Sequence, residues 1–80
     1  MPAILIWNGY RFYFFSHEGS EPPHIHVDKA GGTAKFWLQP VALASSRKFK
    51  DNELLALGKK VHENQRPFLK AWHEYFKNHR

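Results

Sequence analysis

The hydrophobic pattern of this chain changes its period once, at Asp51. Before Asp51, apolar side chains tend to alternate with polar ones, as in HIHVD and TAKFWL, and this is typical of β-strands. After it, apolar residues recur at spacings of three, four and seven, as on one face of an amphipathic helix. These residues are Leu54, Leu57, Val61, Phe68, Trp72 and Phe76. The chain is therefore predicted to be an α+β protein, with its strands first and its helix last.

Pro67 lies in the middle of the helical half. A proline inside a helix removes a hydrogen bond and clashes with the preceding turn, at a cost of about 3 kcal/mol. The apolar stripe nevertheless keeps its phase, because Val61 and Phe68 are two helical turns apart. We therefore expect one long C-terminal helix, with Asp51 as its N-cap and a kink at Pro67, packed on one face of the sheet.

The first half is predicted to form an antiparallel β-meander of about four strands. The expected strands are Ala3–Trp7, Tyr10–Ser16, His24 to Asp28 or Lys29, and Thr33–Leu38. Asn8-Gly9, between the first two, is a strong signal for a two-residue hairpin. Residues 29–32, KAGG, form the second expected turn. The segment Val41–Ser46 is ambiguous between a short fifth strand and a turn of helix.

Alternation divides the third and fourth strands between two faces. Ile25 and Val27 are expected to face the core with Ala34, Phe36 and Leu38, provided that the hairpin loop has an even number of residues. The opposite face then carries His24, His26, Lys35 and Trp37. This arrangement predicts that the two histidines share a surface away from the core.

Composition limits the kind of protein that the chain can be. Eighty residues are expected to form a single domain, 1–80. The absence of cysteine excludes disulfides and thiolate zinc sites and is compatible with a cytoplasmic location. No signal peptide or membrane span is predicted. The net charge of +5 indicates a polyanionic partner, such as RNA or DNA.

Several segments resemble one known family. GYRFYFFS, EPPHIHV, AKFWLQPVALA and a helix that ends in AWHEYF are similar to the bacterial domain of unknown function 4160 family, over about Ala3 to Phe76. The most specific part is PPHIHV between an aromatic strand and KFW, and Pro67 departs from the ordinary helix former expected there. The resemblance implies a small cytoplasmic protein in a toxin–antitoxin-like module, paired with a second small protein. It implies no established activity.

The histidine pair suggests two kinds of chemistry. Alternate residues on a strand are about 6.5–7 Å apart, so His24 and His26 could chelate one divalent ion, with His17 or Glu21 as third ligand. Alternatively, the pair could act as base and acid, with Lys35 or Arg11 stabilising a phosphorane, in a metal-free ribonuclease. A small-ligand site on the pair is a further alternative. Whether the chain is an enzyme stays open.

Binding without catalysis is the main hypothesis. Trp37 and the aromatic residues of the second strand could stack on bases. Phosphates could be contacted by Arg11, Lys35, Arg47, Lys48 and Lys50. An aromatic sheet face could equally be covered by a cognate small protein or by a second copy in a homodimer. In the plainest alternative, the histidines are structural.

Overall fold

The computed structural model describes residues 3–15 and 19–77. Its strands are β1 (Leu5–Trp7), β2 (Tyr10–Tyr13), β3 (His24–Lys29), β4 (Gly32–Leu38) and β5 (Val41–Arg47), and its helices are α1 (Asp51–Glu63) and α2 (Gln65–Lys77). The strands form one antiparallel sheet whose spatial order is the order of the sequence. The predicted α+β class and the meander are confirmed.

Two tight hairpins set the register of the sheet. Asn8 and Gly9 have φ values of 50° and 81°, and Ala30 and Gly31 have 51° and 85°. Two-residue loops with both φ values positive match the right-handed twist of the strands that they join. The second turn is shorter than expected, because Lys29 already pairs with residue 32. Its loop is even, and so the predicted division of β3 and β4 into two faces is confirmed.

The sheet has five strands, one more than expected. Val41–Arg47 pairs with β4, and the register shifts between Lys35 and Phe36, where β5 carries an extra residue. The ambiguous segment is therefore a strand that runs to Arg47. Its first four residues, VALA, are all apolar, so alternation could not identify it. β2 ends at Tyr13, and Ser16, the expected end of that strand, lies outside the described residues.

The helical half consists of two helices, and the expectation of one kinked helix is wrong. α1 ends at Glu63, four residues before Pro67. Proline has no N–H to bond to that residue's carbonyl group, and its ring would clash with it. The Phe68 N–H donates to the Asn64 carbonyl oxygen at 2.9 Å, which begins the hydrogen-bond ladder of α2. Pro67 thus lies in the first turn of α2, where a missing N–H costs little.

The start of α1 also differs from the expectation. The N-cap is Lys50, and Asp51 is the first helical residue. The Lys50 N–H donates to Oε1 of Glu53 at 3.0 Å, as in the second half of a capping box. The Tyr10 hydroxyl donates to Oε2 of the same carboxylate at 2.7 Å. Glu53 therefore ties the first turn of α1 both to its own N-cap and to β2.

Both helices pack on one face of the sheet, which we call the covered face. The core comprises Phe12, Phe14, Ile25, Val27, Ala34, Phe36 and Leu38 from the strands, and Leu57, Val61, Phe68, Trp72 and Phe76 from the helices. Leu54 is half-buried beside them. The predicted apolar stripe is thus confirmed on both sides of the helix break.

Candidate functional site

The open face is the face of the sheet opposite this core. Alternation along the strands places there Arg11, Tyr13, Phe15, His24, His26, Asp28, Thr33, Lys35, Trp37, Ser45 and Arg47. Apart from His24, these side chains are half-buried or exposed. Rows of cross-strand partners run from Arg11 to Asp28 and from Tyr13 through His26 to Lys35. One end of the face is charged and the other is aromatic.

The aromatic end contains two groups of rings. His26 stacks on Tyr13 with a centroid distance of 5.7 Å and meets Phe15 edge-on at 4.6 Å. One strand further on, the Lys35 Nζ lies 4.6 Å from the centroid of the Trp37 ring, within the range of a cation–π contact. Tyr13 lies on β2 and Trp37 on β4, and strands two apart in a sheet are about 10 Å from each other. The face therefore offers two aromatic platforms, Tyr13 with Phe15 and Trp37, with His26 on β3 between them.

His24 is wholly buried, with 0% of its surface exposed. Its ring lies 5.1 Å from that of His26 and 5.7 Å from that of Trp37, which confirms that these residues share a face. It also lies 4.8 Å from the Trp72 ring of α2. The expectation that neither histidine contributes to the interior is wrong for His24. Its place at the start of β3, beside Trp72, explains the burial.

The expected metal ligands only partly come together. Oε1 of Glu21 lies 4.0 Å from Nδ1 of His24, but 2.8 Å from Nζ of Lys35. Nδ1 of His24 is also 2.9 Å from the Pro22 carbonyl oxygen. Among residues 3–15 and 19–77, no cluster of three or more histidines and carboxylates is arranged to hold a metal ion. His17, the other candidate third ligand, lies outside these residues, so the metal hypothesis stays a prediction.

The same geometry gives little support to an acid–base pair. A base must reach the proton that it abstracts, and a buried His24 ring is screened from a substrate on the surface. Lys35, the candidate for stabilising a phosphorane, is engaged with Glu21 and Trp37. The ribonuclease hypothesis stays a prediction, but the arrangement is better suited to binding.

The expected basic residues lie at one end of the open face and just beyond it. The Arg11 side chain is 51% exposed, lies 3.5 Å from a carboxylate oxygen of Asp28 and stacks above Tyr13 at 5.5 Å. Arg47 pairs with Thr33 at the end of β5, which puts it on the same face. Lys48, with a φ of 62°, and Lys50 follow in the connection to α1 and are exposed. Arg11 and Arg47 thus lie at the charged end of the open face, and Lys48 and Lys50 extend the positive charge from there toward α1.

A second aromatic cluster, on the covered side, was not predicted. The Trp7 and Tyr10 rings stack across the first hairpin at 5.9 Å, and Phe49 meets Tyr10 edge-on at 5.7 Å. Lys29 and Lys60 each place an Nζ above one of the stacked rings, at 4.5 and 4.7 Å. The Asn8-Gly9 turn was the available signal, because a two-residue loop makes Trp7 and Tyr10 direct cross-strand neighbours.

The hydrogen bond between Tyr10 and Glu53 shifts the pKa values of both side chains. It is the main cause that raises the pKa of Tyr10, and burial and the charge of the carboxylate add to the effect. The pKa of Glu53 lies below its ordinary value, first because the carboxylate accepts the Lys50 N–H and then because it accepts the Tyr10 hydroxyl. This pair is a structural link between β2 and α1, remote from the open face.

These features define a class: a small α+β protein in which an antiparallel meander has helices on one face and mixed aromatic and basic residues on the other. The model of one family, Domain of unknown function (DUF4160), matches residues 9–73. The chain therefore belongs to the DUF4160 family, as its sequence resemblance predicted. Comparison with curated proteins and with solved structures finds no significant match. No helix in the described part of the chain is long and apolar enough to cross a membrane.

Proposed function

We propose that the open face binds single-stranded nucleic acid without cleaving it. The observation that carries this proposal is the interleaving of rings and cations on a single sheet face, most directly the Lys35–Trp37 contact of 4.6 Å. Single strands are bound by aromatic rings that stack on bases and by cations that follow the phosphates. Both kinds of group lie here on neighbouring strands, and the chain as a whole carries a charge of +5.

The two aromatic platforms suit different bases of one strand. Trp37 on β4 offers the larger ring, and Tyr13 on β2 offers a second place about 10 Å away across the sheet, with His26 on β3 between them. Stacking contributes about 1–3 kcal/mol for each base. Because every base has an aromatic face, binding of this kind depends little on sequence, and we expect weak sequence preference.

The carboxylates on this face do not prevent phosphate binding. Arg11 lies beside Asp28 and Lys35 beside Glu21, and all four side chains keep some exposure to water. An exposed ion pair contributes at most about 1 kcal/mol to stability. A phosphate can therefore replace the carboxylate at low cost, and the nearby Arg47, Lys48 and Lys50 add positive charge.

The test is a salt titration with a labelled oligouridylate and a labelled oligothymidylate, followed by fluorescence anisotropy. The logarithm of the binding constant should fall with the logarithm of salt concentration, with a slope of about −0.7 for each phosphate neutralised. Replacing Arg47, Lys48 and Lys50 together by serine should reduce the magnitude of the slope by about two. Absence of binding to either oligonucleotide at low salt rejects the proposal.

A matched pair of tryptophan variants locates the surface. Trp37→Ala should weaken binding about tenfold, because it removes one stacking platform. Trp7→Ala is the control, because Trp7 is also half-buried but lies on the covered side. Equal loss in both variants, or loss only in Trp7→Ala, contradicts binding at the open face.

The same reactions test the alternative hypotheses. A metal-free ribonuclease would shorten the oligouridylate, and this cleavage would be lost in His26→Ala; a metal site would make binding or cleavage sensitive to a chelator. Intact oligonucleotide with chelator-resistant binding supports the binding proposal alone. A homodimer covering the open face would double the sedimenting mass of 9.4 kDa and compete with the oligonucleotide.

Family membership extends the proposal to a cellular role. We propose that the chain is the nucleic-acid-binding member of a toxin–antitoxin-like pair whose other member is a small protein. The support is the sequence resemblance, which implies such modules, together with the basic charge of this chain. Expression of the chain alone should alter growth of a bacterial host, and Trp37→Ala should remove that effect. An equally strong effect from the variant contradicts this role for the open face.

A further inference from the structure

An apolar groove runs between β5 and α1, on the covered side of the sheet. Its volume is about 360 Å³, and its walls carry Leu43 from β5 and Leu54 and Leu55 from α1. Leu43 is 45% exposed and Leu55 is 71% exposed. Gly58 keeps the floor open, because its missing side chain would come within 3.7 Å of the Phe36 ring. Two large aliphatic side chains on opposite walls thus face water across an open channel.

The strand beside this groove has a free outer edge. In the described part of the chain, β5 pairs with β4 only, and all of its residues except Val41 are exposed. Sheet edges are commonly protected by proline, by charged side chains or by extreme shortness. β5 has seven residues, with no proline and no charge before Arg47. The edge of β5 before Arg47 is interrupted by one bulge. The opposite edge strand, β1, is instead protected by its shortness, since it has three residues.

An extended peptide could satisfy both features together. Its backbone would pair with the outer edge of β5, and alternate side chains would enter the groove between Leu43 and Leu55. Seven strand residues span about 23 Å, enough for a partner strand of about six or seven residues. Strand addition of this kind takes its affinity from backbone hydrogen bonds and its selectivity from the alternate side chains.

Charge selects the kind of peptide. Lys59 and His62 line the groove, and none of the described lining residues is a carboxylate. Lys48 follows directly after β5 and is exposed. A second copy of this chain would bring two such basic margins together at a net charge of +5 each, which disfavours self-pairing. Carboxylates on the incoming strand can instead face Lys59 and His62 when they occupy groove-facing positions beside the apolar residues, because alternate side chains of a strand share one face.

We infer that β5 and the adjoining groove form a docking edge for an extended segment of a partner protein, in which the alternate, groove-facing positions carry apolar residues followed by acidic ones. The segment adds to the sheet as a sixth strand. This surface lies on the side of β5 away from the open face, so the inference does not depend on nucleic-acid binding.

The probe is a fluorescent peptide of about eight residues whose groove-facing alternate positions carry valine and then glutamate, with threonine at the intervening positions. The control replaces each glutamate by lysine. We expect the acidic peptide to bind and the basic peptide not to bind, as measured by fluorescence polarisation. Amide hydrogen exchange should slow in β5 when the acidic peptide is present. No binding of the acidic peptide at millimolar concentration, or protection confined to other strands, overturns the inference.

Two substitutions and one control assign the contact to its residues. Leu43→Ser with Leu55→Ser should weaken binding at least about tenfold, because each leucine loses apolar contact with the peptide. Ile6→Ser is the matched control: Ile6 is 67% exposed on the other edge strand, and its loss should leave binding unchanged. Equal loss in the control overturns the assignment.

Charge reversal gives an independent measurement. Lys59→Glu should weaken the binding of the acidic peptide and allow the basic peptide to bind. The oligonucleotide titration should stay unchanged. A Lys59→Glu variant with unaltered preference contradicts charge selection. A concentration-dependent dimer that is lost in the Leu43→Ser, Leu55→Ser double variant would show that a second copy occupies the edge, and it would overturn the proposed acidic partner.

Discussion

The two faces of the sheet are built from adjacent residues of the same strands, yet their rings have different surroundings. On the covered face Phe12, Phe14 and Phe36 are at most 3% exposed. On the open face Phe15 is 40% exposed, and Tyr13 and Trp37 are half-buried. These three covered rings are phenyl groups, whereas Tyr13 and Trp37 carry a hydroxyl or an indole N–H and Phe15 lies beside His26. Packing in the core accounts for the first set, whereas the second set stays partly accessible to water.

The largest expected effect distinguishes the faces through two tryptophans. Trp72 is 4% exposed and contacts Phe14, Phe76 and His24. Trp72→Ala should lower the free energy of unfolding by about 3–5 kcal/mol, enough to unfold much of a domain of this size. Trp37→Ala should cost only about 1 kcal/mol. Thermal melts of both variants check this; similar losses would remove the distinction between the faces.

The second effect applies the same comparison to the histidines. His24→Ala should cost about 2–3 kcal/mol, because a buried ring and its contact with the Pro22 carbonyl are both lost. His26→Ala should cost less than about 1 kcal/mol, since the ring is only half-buried. Urea denaturation of the two single variants separates them. A His24→Ala variant as stable as the parent would mean that this ring does not pack against Trp72.

The third effect is a gain in stability from a substitution on the covered side. Gly58 lies inside α1, and a Cβ there would make only an ordinary contact with Phe36. Gly58→Ala should therefore stabilise the protein by about 0.5–1 kcal/mol through helix propensity. The melting temperature should rise. If the added methyl group also narrows the groove, the variant will be more stable and yet bind the acidic peptide less well.

The smallest expected effect concerns how the stability of the fold changes at acidic pH. Because the pKa of Glu53 is lower in the folded chain, its ionised form stabilises the fold above the ordinary value of 4.5, and this contribution is lost as pH falls through the folded pKa. Glu53→Gln should be less stable than the parent at pH 7, and the difference should shrink as the pH falls below 4.5. Urea titrations at several pH values measure it. A difference that stays constant with pH would exclude this linkage.

Much of the fold could be predicted because its signals are local. Asn8-Gly9 fixed the first hairpin, and alternation assigned Ile25 and Phe36 to the core. The position of the helix break could not be predicted from the stripe alone, because both helices keep their apolar residues in phase. The signal lay in the chemistry of Pro67, which acts on the carbonyl of Glu63 and so ends α1 four residues earlier.

The candidate site was predictable in its composition but not in its accessibility. Parity correctly grouped His26, Lys35 and Trp37 on one face. It could not show that His24 is buried, because the burial depends on where α2 crosses the end of the sheet. Trp72, the α2 residue that contacts His24, lies nearly fifty residues further along the chain. The Tyr10–Glu53 link was missed for the same reason, since its partners are separated by 43 positions.

The sequential order of the strands has a consequence for synthesis on the ribosome. Every strand pairs with the strand just before or after it in the chain, so each hairpin can close as soon as it emerges. The residues that cover the core, from Asp51 onward, are made after all five of the described strands. For the time needed to add them, about 1.5–6 s at 5–20 residues per second, the nascent chain presents Phe12, Phe14 and Phe36 to water. During that interval the uncovered apolar face makes the growing chain prone to associate with other chains.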